Sequence, residues 1–186
     1  MASGLHLKLL AVRSGLGRYG RNNICYVDDM GSFIALYAFF TDYAFETDSW
    51  NEIKMMDICQ NCKICRKQCP SGAIREEEFV IDAGMCVTLY NEVEGEFPTW
   101  LPHNAHNALM GCMKCQAPCP ANREPIKLAG RLEDITSQET LNFLSRQPDE
   151  NTIASVSKKL MMPHMVGSQE VYDIIRRNLS VLLLLA

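Results

Sequence analysis

One stretch of the sequence reads Cys59-Gln-Asn-Cys62-Lys-Ile-Cys65-Arg-Lys-Gln-Cys69-Pro70, a C-x2-C-x2-C-x3-C-P spacing. A second stretch reads Cys112-Met-Lys-Cys115-Gln-Ala-Pro-Cys119-Pro120, and the isolated Cys86 precedes it. These segments hold eight of the nine cysteines. Three closely spaced thiolates, followed by a fourth just before a proline, are typical of ligands for iron–sulfur cubanes. The spacing therefore predicts two [4Fe–4S] clusters.

The proline at the end of each run predicts how the thiolates are shared. In the bacterial two-cluster ferredoxin run, the fourth cysteine serves the other cluster. The predicted ligands of the first cluster, called here the first-cluster set, are Cys59, Cys62, Cys65 and the distant Cys119. The predicted ligands of the second cluster, called here the second-cluster set, are Cys69, Cys112, Cys115 and Cys86.

Two other uses of cysteine compete with this prediction. A disulfide framework needs an oxidising compartment, and we see no secretory signal, since the short apolar patch before Val12 is interrupted by Lys8. Zinc is the stronger alternative, because each C-x2-C pair resembles half of a four-cysteine site. Zinc does not explain the further cysteines at cluster spacing or the proline that ends each run.

The ninth cysteine, Cys25, has no partner in either run. It lies in the apolar, β-type sequence Ile24-Cys25-Tyr26-Val27. Free cysteines in such surroundings are usually small buried apolar side chains. We therefore predict that Cys25 is part of a core.

Composition favours a folded protein without a polyanion-binding surface. The chain has 186 residues, of which 47% are hydrophobic and 22% charged, so a real core is possible. A formal charge of −4 argues against a nucleic-acid footprint spread over the surface. The longest apolar run, from Val181 to Ala186, is too short to span a bilayer. These features predict a cytoplasmic protein without membrane contact.

Three regions differ in sequence pattern, and together they predict an α+β fold. Residues 1–50 are apolar and aromatic, residues 51–125 hold all the predicted ligands, and residues 126–186 show helical spacing. A cysteine-rich region with little continuous apolar sequence folds around its metal. The predicted helical faces of the last region consist of Leu128, Leu132 and Ile135, of Leu141 and Leu144, and of Val171, Ile174, Ile175 and Leu179.

Two short segments bear on the strand content. Leu36-Tyr37-Ala38-Phe39-Phe40 fits a strand or a helix, and periodicity alone does not decide between them. Phe79-Val80-Ile81-Asp82 is typical of a short strand before Cys86.

A glycine-rich stretch, Gly15-Leu-Gly-Arg-Tyr-Gly20, fits the dinucleotide fingerprint G-x-G-x-x-G. That fingerprint needs a strand before it and a long helix after it. Here the sequel, from Arg21 to Val27, indicates a turn and then a strand. We therefore expect no nicotinamide site. The remaining interpretations are a tight turn without a ligand, and a turn that lets the backbone approach some other flat or phosphate-bearing ligand.

The chain resembles the epoxyqueuosine reductases, which are cobalamin-dependent enzymes of tRNA queuosine synthesis related to the corrinoid reductive dehalogenases. The likeness covers roughly residues 9–123 and includes every predicted cluster ligand in order. Before the clusters it rests on Leu10-Ala-Val-Arg-Ser-Gly-Leu-Gly17, Gly20-Arg-Asn-Asn23, Gly31-Ser-Phe33 and Thr41-Asp42.

The resemblance implies a second cofactor, cobalamin, and a fuller fold. It implies a bacterial ferredoxin-like double-cluster domain at 51–125, flanked by an incomplete α/β cobalamin-domain segment at 1–50 and a helical tail at 126–186. In that family the cluster nearer the corrin passes electrons to cobalt. The cobalamin-binding residues that the resemblance implies are Gly15, Gly17, Arg21, Asn22, Gly31 and Ser32.

Departures from the family bear on catalysis. The family's cobalamin domain begins far upstream of this point, and its general-acid aspartate lies just before the glycine-rich stretch. We therefore expect a fragment, a split-gene subunit, or a true start further upstream, and no catalytic residue is assigned. Residues 14–23 resemble relatives of unassigned activity more than the tRNA-modifying enzymes.

Two functions follow from these observations. The first is the electron-relay module of a cobalamin-dependent reductase, with an electron-donor protein or reductase and an upstream cobalamin domain or split subunit as partners. Transfer RNA is a partner only of a true epoxyqueuosine reductase. The second is a stand-alone ferredoxin-like carrier without a catalytic site.

Overall fold

The computed structural model describes residues 4–76 and 80–184, and the chain divides into two compact units. Unit 1 comprises Met1–Gly84 and Met113–Ala129, and unit 2 comprises Met85–Cys112 and Gly130–Ala186. Unit 1 therefore contains the whole first run together with Cys115 and Cys119, whereas unit 2 contains Cys86 and Cys112. The predicted division into 1–50, 51–125 and 126–186 stays a prediction.

Unit 1 begins with a helix and a short β-hairpin. Helix α1 (Leu7–Arg13) is followed by strands β1 (Arg18–Tyr19) and β2 (Cys25–Tyr26), which pair antiparallel. The helix ends before Gly15, whose φ of +83° is a left-handed conformation that glycine adopts without strain. A helix before the glycine-rich turn and a strand after it are the reverse of the dinucleotide-binding context.

The core of this part of unit 1 is small. Ala11 and Val12 of α1 pack with Tyr19 of β1 and Cys25 of β2. Cys25 is 3% exposed, which confirms the prediction that it is a buried apolar side chain. Burial also raises the pKa of its thiol, against the effect of the nearby Lys8 charge.

The cysteine runs of unit 1 lie in short turns of helix. A bridge between Tyr19 and Met55 brings the chain alongside the hairpin before the first run. The run contains a 3₁₀ turn, Asp57–Cys59, and helix α2 (Ile64–Gln68). Two further 3₁₀ turns end the unit, Pro120–Asn122 and Pro125–Leu128, each with a proline in its first turn.

The described residues of unit 2 form four α-helices. They are α3 (Val87–Asn91), α4 (Ser137–Leu144), α5 (Glu150–Lys159) and α6 (Gln169–Leu183). The N-cap side chains of the last three each accept a hydrogen bond from a backbone N–H of the first turn, which satisfies a donor that has no partner within the helix. These N-cap residues are Thr136, Asp149 and Ser168.

Helices α4 to α6 enclose a hydrophobic core, because their apolar residues recur at helical spacing. Its fully or nearly buried members are Phe143, Val156, Met165, Tyr172 and Ile175. The Tyr172 hydroxyl donates to the carbonyl of Phe143 at 2.7 Å, so the buried polar group is satisfied.

Two buried asparagines hold the loop of unit 2 that carries Cys86 and Cys112. The Asn178 amide donates to the carbonyls of Asn91 and Leu109 at 2.9 and 2.7 Å. The Asn91 amide donates to the carbonyls of Ala108 and Gly111 at 3.2 and 2.8 Å. Side chains therefore satisfy backbone groups that form no regular secondary structure.

The structure combines many helices with a small sheet, which agrees with the general α+β class that the sequence predicted. One predicted helical face is wrong: no helix covers residues 129–136, and Leu128 is 87% exposed. The 3₁₀ turn ends at Leu128 with Ala129 in an extended conformation, and Gly130 follows, so helical spacing does not continue into a helix. Ile135 alone of that face packs against the helical core.

The two short segments considered as possible strands, residues 36–40 and 79–82, differ in the structure. Leu36–Phe40 forms neither a helix nor a strand. In the predicted strand Phe79–Asp82, Phe79 lies outside the described residues, while Ile81 forms an antiparallel bridge with Ile74. Within the part of the chain that the structure describes, we find no helix with the length and apolarity needed to cross a membrane.

Candidate metal centre

The four members of the first-cluster set line one cavity in unit 1. Cys59 ends a 3₁₀ turn, Cys62 and Cys65 flank the start of α2, and Cys119 directly precedes the Pro120 turn. The rest of the lining consists of Gly20, Arg21, Asn22, Tyr26, Ile58, Ile64 and Pro120. The structure thus brings Cys119 to the first run, although many residues separate them in the sequence.

Burial raises the pKa of two thiols of this set, Cys59 and Cys65. Burial, with smaller contributions from the neighbouring cysteines, raises the pKa of Cys65 to about 11, although a hydrogen bond from the Arg66 backbone N–H acts in the opposite direction. Burial also raises the pKa of Cys59, and a negative charge on Cys119 or Cys62 acts in the same direction. Four thiolates in this cavity would repel one another, and an iron–sulfur core would supply positive charge among them.

The cysteines that line the cavity do not form a site for a single metal ion. Among residues 4–76 and 80–184, no three His, Cys, Asp or Glu side chains converge closely enough to hold one metal ion. A zinc ion needs each sulfur at about 2.3 Å. The assignment of a cluster to these four thiols rests on the spacing of the cysteines.

The second-cluster set is divided between the units. Cys69 and Cys115 belong to unit 1, and Cys86 and Cys112 belong to unit 2. Within unit 1, the Cys69 sulfur lies 3.8 Å from the Ser71 hydroxyl. Within unit 2, Cys86 precedes α3, and the Asn107 amide donates to the Cys112 sulfur at 3.3 Å. The assignment of these four cysteines to one cluster stays a prediction.

Three of the predicted cobalamin-binding residues make internal contacts in unit 1. Arg21 donates to the carbonyls of Cys59, Cys62 and Glu76. Asn22 donates to the Tyr26 hydroxyl at 2.9 Å and to the carbonyl of Cys115 at 3.4 Å.

Ser32 is bound to the turn after the second run. Its N–H donates to Asn122 Oδ1 at 2.9 Å, and its hydroxyl accepts from Asn122 Nδ2 at 2.8 Å. The segment from Arg21 to Ser32 therefore holds both cysteine runs. The role of these residues in binding cobalamin stays a prediction.

At two of the predicted glycines, Gly17 and Gly31, neighbouring atoms leave no room for a side chain. A side chain at Gly17 would meet Cys25 Sγ at 2.7 Å and the carbonyl oxygen of Tyr26 at 2.8 Å. Gly31 has a φ of +67°, and a side chain there would collide with Asn122 and Pro125. Gly15 and Gly17 also line a surface cavity of about 260 Å³ together with Leu16 and Arg18.

Two residues near the cysteines were not identified from the sequence. Tyr26 is 3% exposed and packs in a small core to which Cys119 also contributes. Asn122 is fully buried and ties Ser32 to the carbonyl of Gln116. The signal for Asn122 was its place three residues after Cys119, where an amide can hold the end of the run.

Comparisons with known proteins agree with this geometry. Residues 58–122 match the family described as a 4Fe-4S double cluster binding domain. The epoxyqueuosine reductase of Escherichia coli strain K12 is 35% identical over 140 residues, which is 75% of this chain and 33% of that protein. The chain is related to the epoxyqueuosine reductases.

Solved structures extend the likeness to the fold. The structure of epoxyqueuosine reductase from Bacillus subtilis superposes with a TM-score of 0.72 at 25% identity, covering 97% of this chain and 46% of that one. An epoxyqueuosine reductase solved with an epoxyqueuosine-modified tRNA-Tyr stem loop superposes with a TM-score of 0.66 at 23% identity, covering 96% and 46%. The chain spans about a third of the curated relative from E. coli and under half of these structures.

Proposed function

We propose that this chain is an electron-transfer module that holds two [4Fe–4S] clusters and works within a cobalamin-dependent reductase of the epoxyqueuosine reductase type. The observation that carries the proposal is the cavity lined by Cys59, Cys62, Cys65 and Cys119. It combines three thiols from one run with the last thiol of the other, which is the arrangement of a two-cluster ferredoxin run. The match of residues 58–122 to a double-cluster family supports the same assignment.

Each cluster has a proposed set of four thiolates. The first-cluster set would hold one cubane, and the second-cluster set, Cys69, Cys86, Cys112 and Cys115, would hold the other. A bound [4Fe–4S] cluster supplies one-electron transfer. The residues of this chain hold the thiolates in place, exclude water from Cys59 and Cys65, which are 6% and 8% exposed, and set the local charge.

The proposed link to cobalamin rests on the relatives and on the glycine-rich loop. Leu16 is 56% exposed on this loop, beside the surface cavity that Gly15 and Gly17 line. A flat cofactor can approach the backbone of this loop at the exposed Gly15, which has no side chain. We propose that cobalamin is held there together with a cobalamin-binding domain supplied by the same or another chain.

The proposed partners follow from this arrangement. An electron-donor protein would reduce the clusters, and the cobalamin-binding domain would accept the electrons. One relative was solved with a tRNA stem loop, and we extend that partner only to a complete reductase that contains this module. The formal charge of −4 gives this chain no general polyanion-binding character.

Metal content and ligand pairing test the proposal. Anaerobic reconstitution is expected to give about eight iron and eight sulfide per chain. Electron paramagnetic resonance of the reduced variants is expected to show that Cys119→Ser perturbs the same cluster as Cys59→Ser. Cys69→Ser is expected to match Cys86→Ser instead. Cys25→Ser is the matched control, because this cysteine lies in a core outside both sets, and full iron content is expected.

Two results would contradict the cluster assignment. A colourless preparation with one or two zinc ions per chain would identify a zinc protein. Signals that pair Cys119 with Cys112 and Cys115 would mean that each run binds its own cluster, without the exchange of fourth ligands.

A cobalamin titration separates a relay module from a stand-alone carrier. Cobalamin is added to the reconstituted chain alone and beside a separately supplied cobalamin-binding domain, and binding is followed by the corrin absorbance. Binding that appears or tightens with the added domain, and weakens in Leu16→Glu, is expected for the relay. No binding in either mixture, with clusters intact, would favour the stand-alone carrier. Gly17→Val is a poor probe, because the new side chain would collide with Cys25 and Tyr26.

A further inference from the structure

A buried guanidinium lies against the first cysteine run. Arg21 is 8% exposed and lines the cavity of the first-cluster set. Its Nη2 donates to the carbonyl of Cys59 at 2.6 Å, its Nε to that of Cys62 at 3.2 Å, and its Nη1 to that of Glu76 at 3.0 Å. These contacts hold the backbone of two predicted ligands.

The guanidinium of Arg21 has hydrogen-bond acceptors, but no described anionic side chain neutralises its charge. Among residues 4–76 and 80–184, no carboxylate oxygen lies within 4.0 Å of its guanidinium nitrogens. Carbonyl oxygens are neutral dipoles, and a buried cation without an anionic partner is strongly destabilising. A negatively charged group beside Arg21 would therefore stabilise this buried cation.

The neighbouring cations differ from Arg21 in this respect. Arg18, on the same glycine-rich segment, is half-exposed and pairs with Asp28 at 2.5 Å. Lys63 and Arg66, in the first run, both pair with Glu76, at 2.5 and 3.1 Å. Of these four cations, only Arg21 combines burial with the absence of a described anionic partner.

A [4Fe–4S] cluster on the first-cluster set provides the missing negative charge. An oxidised core of about +2 with four thiolates carries about −2, and reduction adds another negative charge. We infer that Arg21 is the counter-ion of the first cluster and raises its reduction potential, an inference that rests on the proposed function. A fixed cation in a low-dielectric site stabilises the more negative, reduced state more than the oxidised one.

The thiol chemistry of the cavity is consistent with this role. Burial raises the pKa of Cys59, while a hydrogen bond from the Arg21 backbone N–H and the charge of the Arg21 side chain act against that rise. Arg21 thus favours the thiolate that a cluster needs. Three nitrogens of the planar Arg21 guanidinium donate to three different carbonyls. This geometry explains why the residue is Arg and not Lys.

Redox titration of variants tests the inference. Wild type, Arg21→Gln, Arg21→Lys and Arg18→Gln are reconstituted anaerobically, and iron and sulfide are counted before any potential is measured. The first cluster is identified as the paramagnetic signal lost in Cys59→Ser. Its midpoint potential is expected to shift to more negative values in Arg21→Gln and to shift much less in Arg21→Lys. Arg18→Gln is the matched control and is expected to leave the potential unchanged.

The outcomes are distinguishable from a failure of the proposed function. Wild type without iron and sulfide would overturn the proposed function itself. Clusters present in all variants, with an unchanged potential in Arg21→Gln or an equal shift in Arg21→Lys, would overturn the role of the charge. Loss of the first cluster in Arg21→Gln but not in Arg21→Lys would support the inference. Loss in both would overturn it, because the hydrogen bonds would then be the decisive feature.

Discussion

The backbone around the first-cluster set is held mainly by buried polar side chains, whereas helices α4 to α6 are held by a hydrophobic core. In the cysteine region, Arg21, Asn22 and Asn122 donate to backbone carbonyls of the two runs. In the helical region, Phe143 and Ile175 are 1% exposed and pack with other apolar side chains. Hydrogen bonds of this kind position loops but contribute little net stability, while apolar burial is the main stabilising force. The cysteine region should therefore depend on its cofactor and the helices should not.

Metal removal is expected to have the largest effect and to separate the two regions. When the iron is chelated from the reconstituted chain, loss of the metal crosslink should open the first run. Limited trypsin digestion is expected to cut at Lys67 of α2 soon after chelation. Cleavage at Lys159 of α5 is expected to stay slow, because that lysine belongs to the helical region.

The matched comparison is the same digestion of the reconstituted chain, in which both sites should be protected. Equal loss of protection at Lys67 and Lys159 after chelation would contradict the comparison. It would mean that the helical core depends on the clusters as well.

Truncation in the helical core is expected to have the next largest effect. Phe143 is 1% exposed, and its ring centroid lies 4.9 Å from that of Tyr172. Phe143→Ala is expected to reduce the free energy of unfolding of the helices by about 3–5 kcal/mol, through lost burial and a cavity. Denaturant unfolding followed by the helical circular dichroism signal measures it.

The same helix offers the control for this substitution. Leu141 on α4 is 68% exposed, so Leu141→Ala is expected to change stability by no more than about 0.5 kcal/mol. Iron content should be unchanged in both variants. A large loss of bound iron in Phe143→Ala would show that the two regions are not independent.

Acid is expected to have the smallest effect on the helices, and it acts through Glu139. Its carboxylate receives Lys159 Nζ at 2.7 Å and the Ser155 hydroxyl at 2.6 Å, as well as the N–H of Thr136. The Lys159 hydrogen bond, followed by those of Ser155 and Thr136, lowers the pKa of Glu139 from 4.5 to about 2. Because the pKa is lower in the folded state, these contacts stabilise the helices above pH 4.5, and their effect is lost as the pH falls toward 2.

Glu139→Gln is expected to flatten this pH dependence and to lower stability at neutral pH. Amide hydrogen exchange in α4 and α5 is the suitable measurement, since acid also releases metal from thiolates. An identical decline of protection between pH 4.5 and pH 2 in wild type and in Glu139→Gln would exclude this carboxylate as the cause.

The sequence could predict much of the helical region but little of the contacts around the cysteines. Val171, Ile174, Ile175 and Leu179 repeat at helical spacing, and they lie on α6 as expected. Leu128 and Leu132 show the same spacing and form no helix, because Gly130 lies between them and a 3₁₀ turn ends at Leu128. Spacing is a local property, so it predicts a helix only where capping and tertiary packing agree with it.

By itself, the sequence determined the likeness to the epoxyqueuosine reductases, the cysteine spacing and the burial of Cys25, because each depends on residues close together in the chain. The spacing also predicted that Cys119 joins the first run, and Cys119 lines that cavity. Only the tertiary structure decided that Arg21 and Ser32 bind the cysteine runs. Hydrogen bonds from side chains to backbone carbonyls leave no local pattern, since every residue offers the same carbonyl acceptor. The fold of the chain therefore determines which carbonyls Arg21 contacts. It also determines that the positive charge of Arg21 lies beside the proposed cluster.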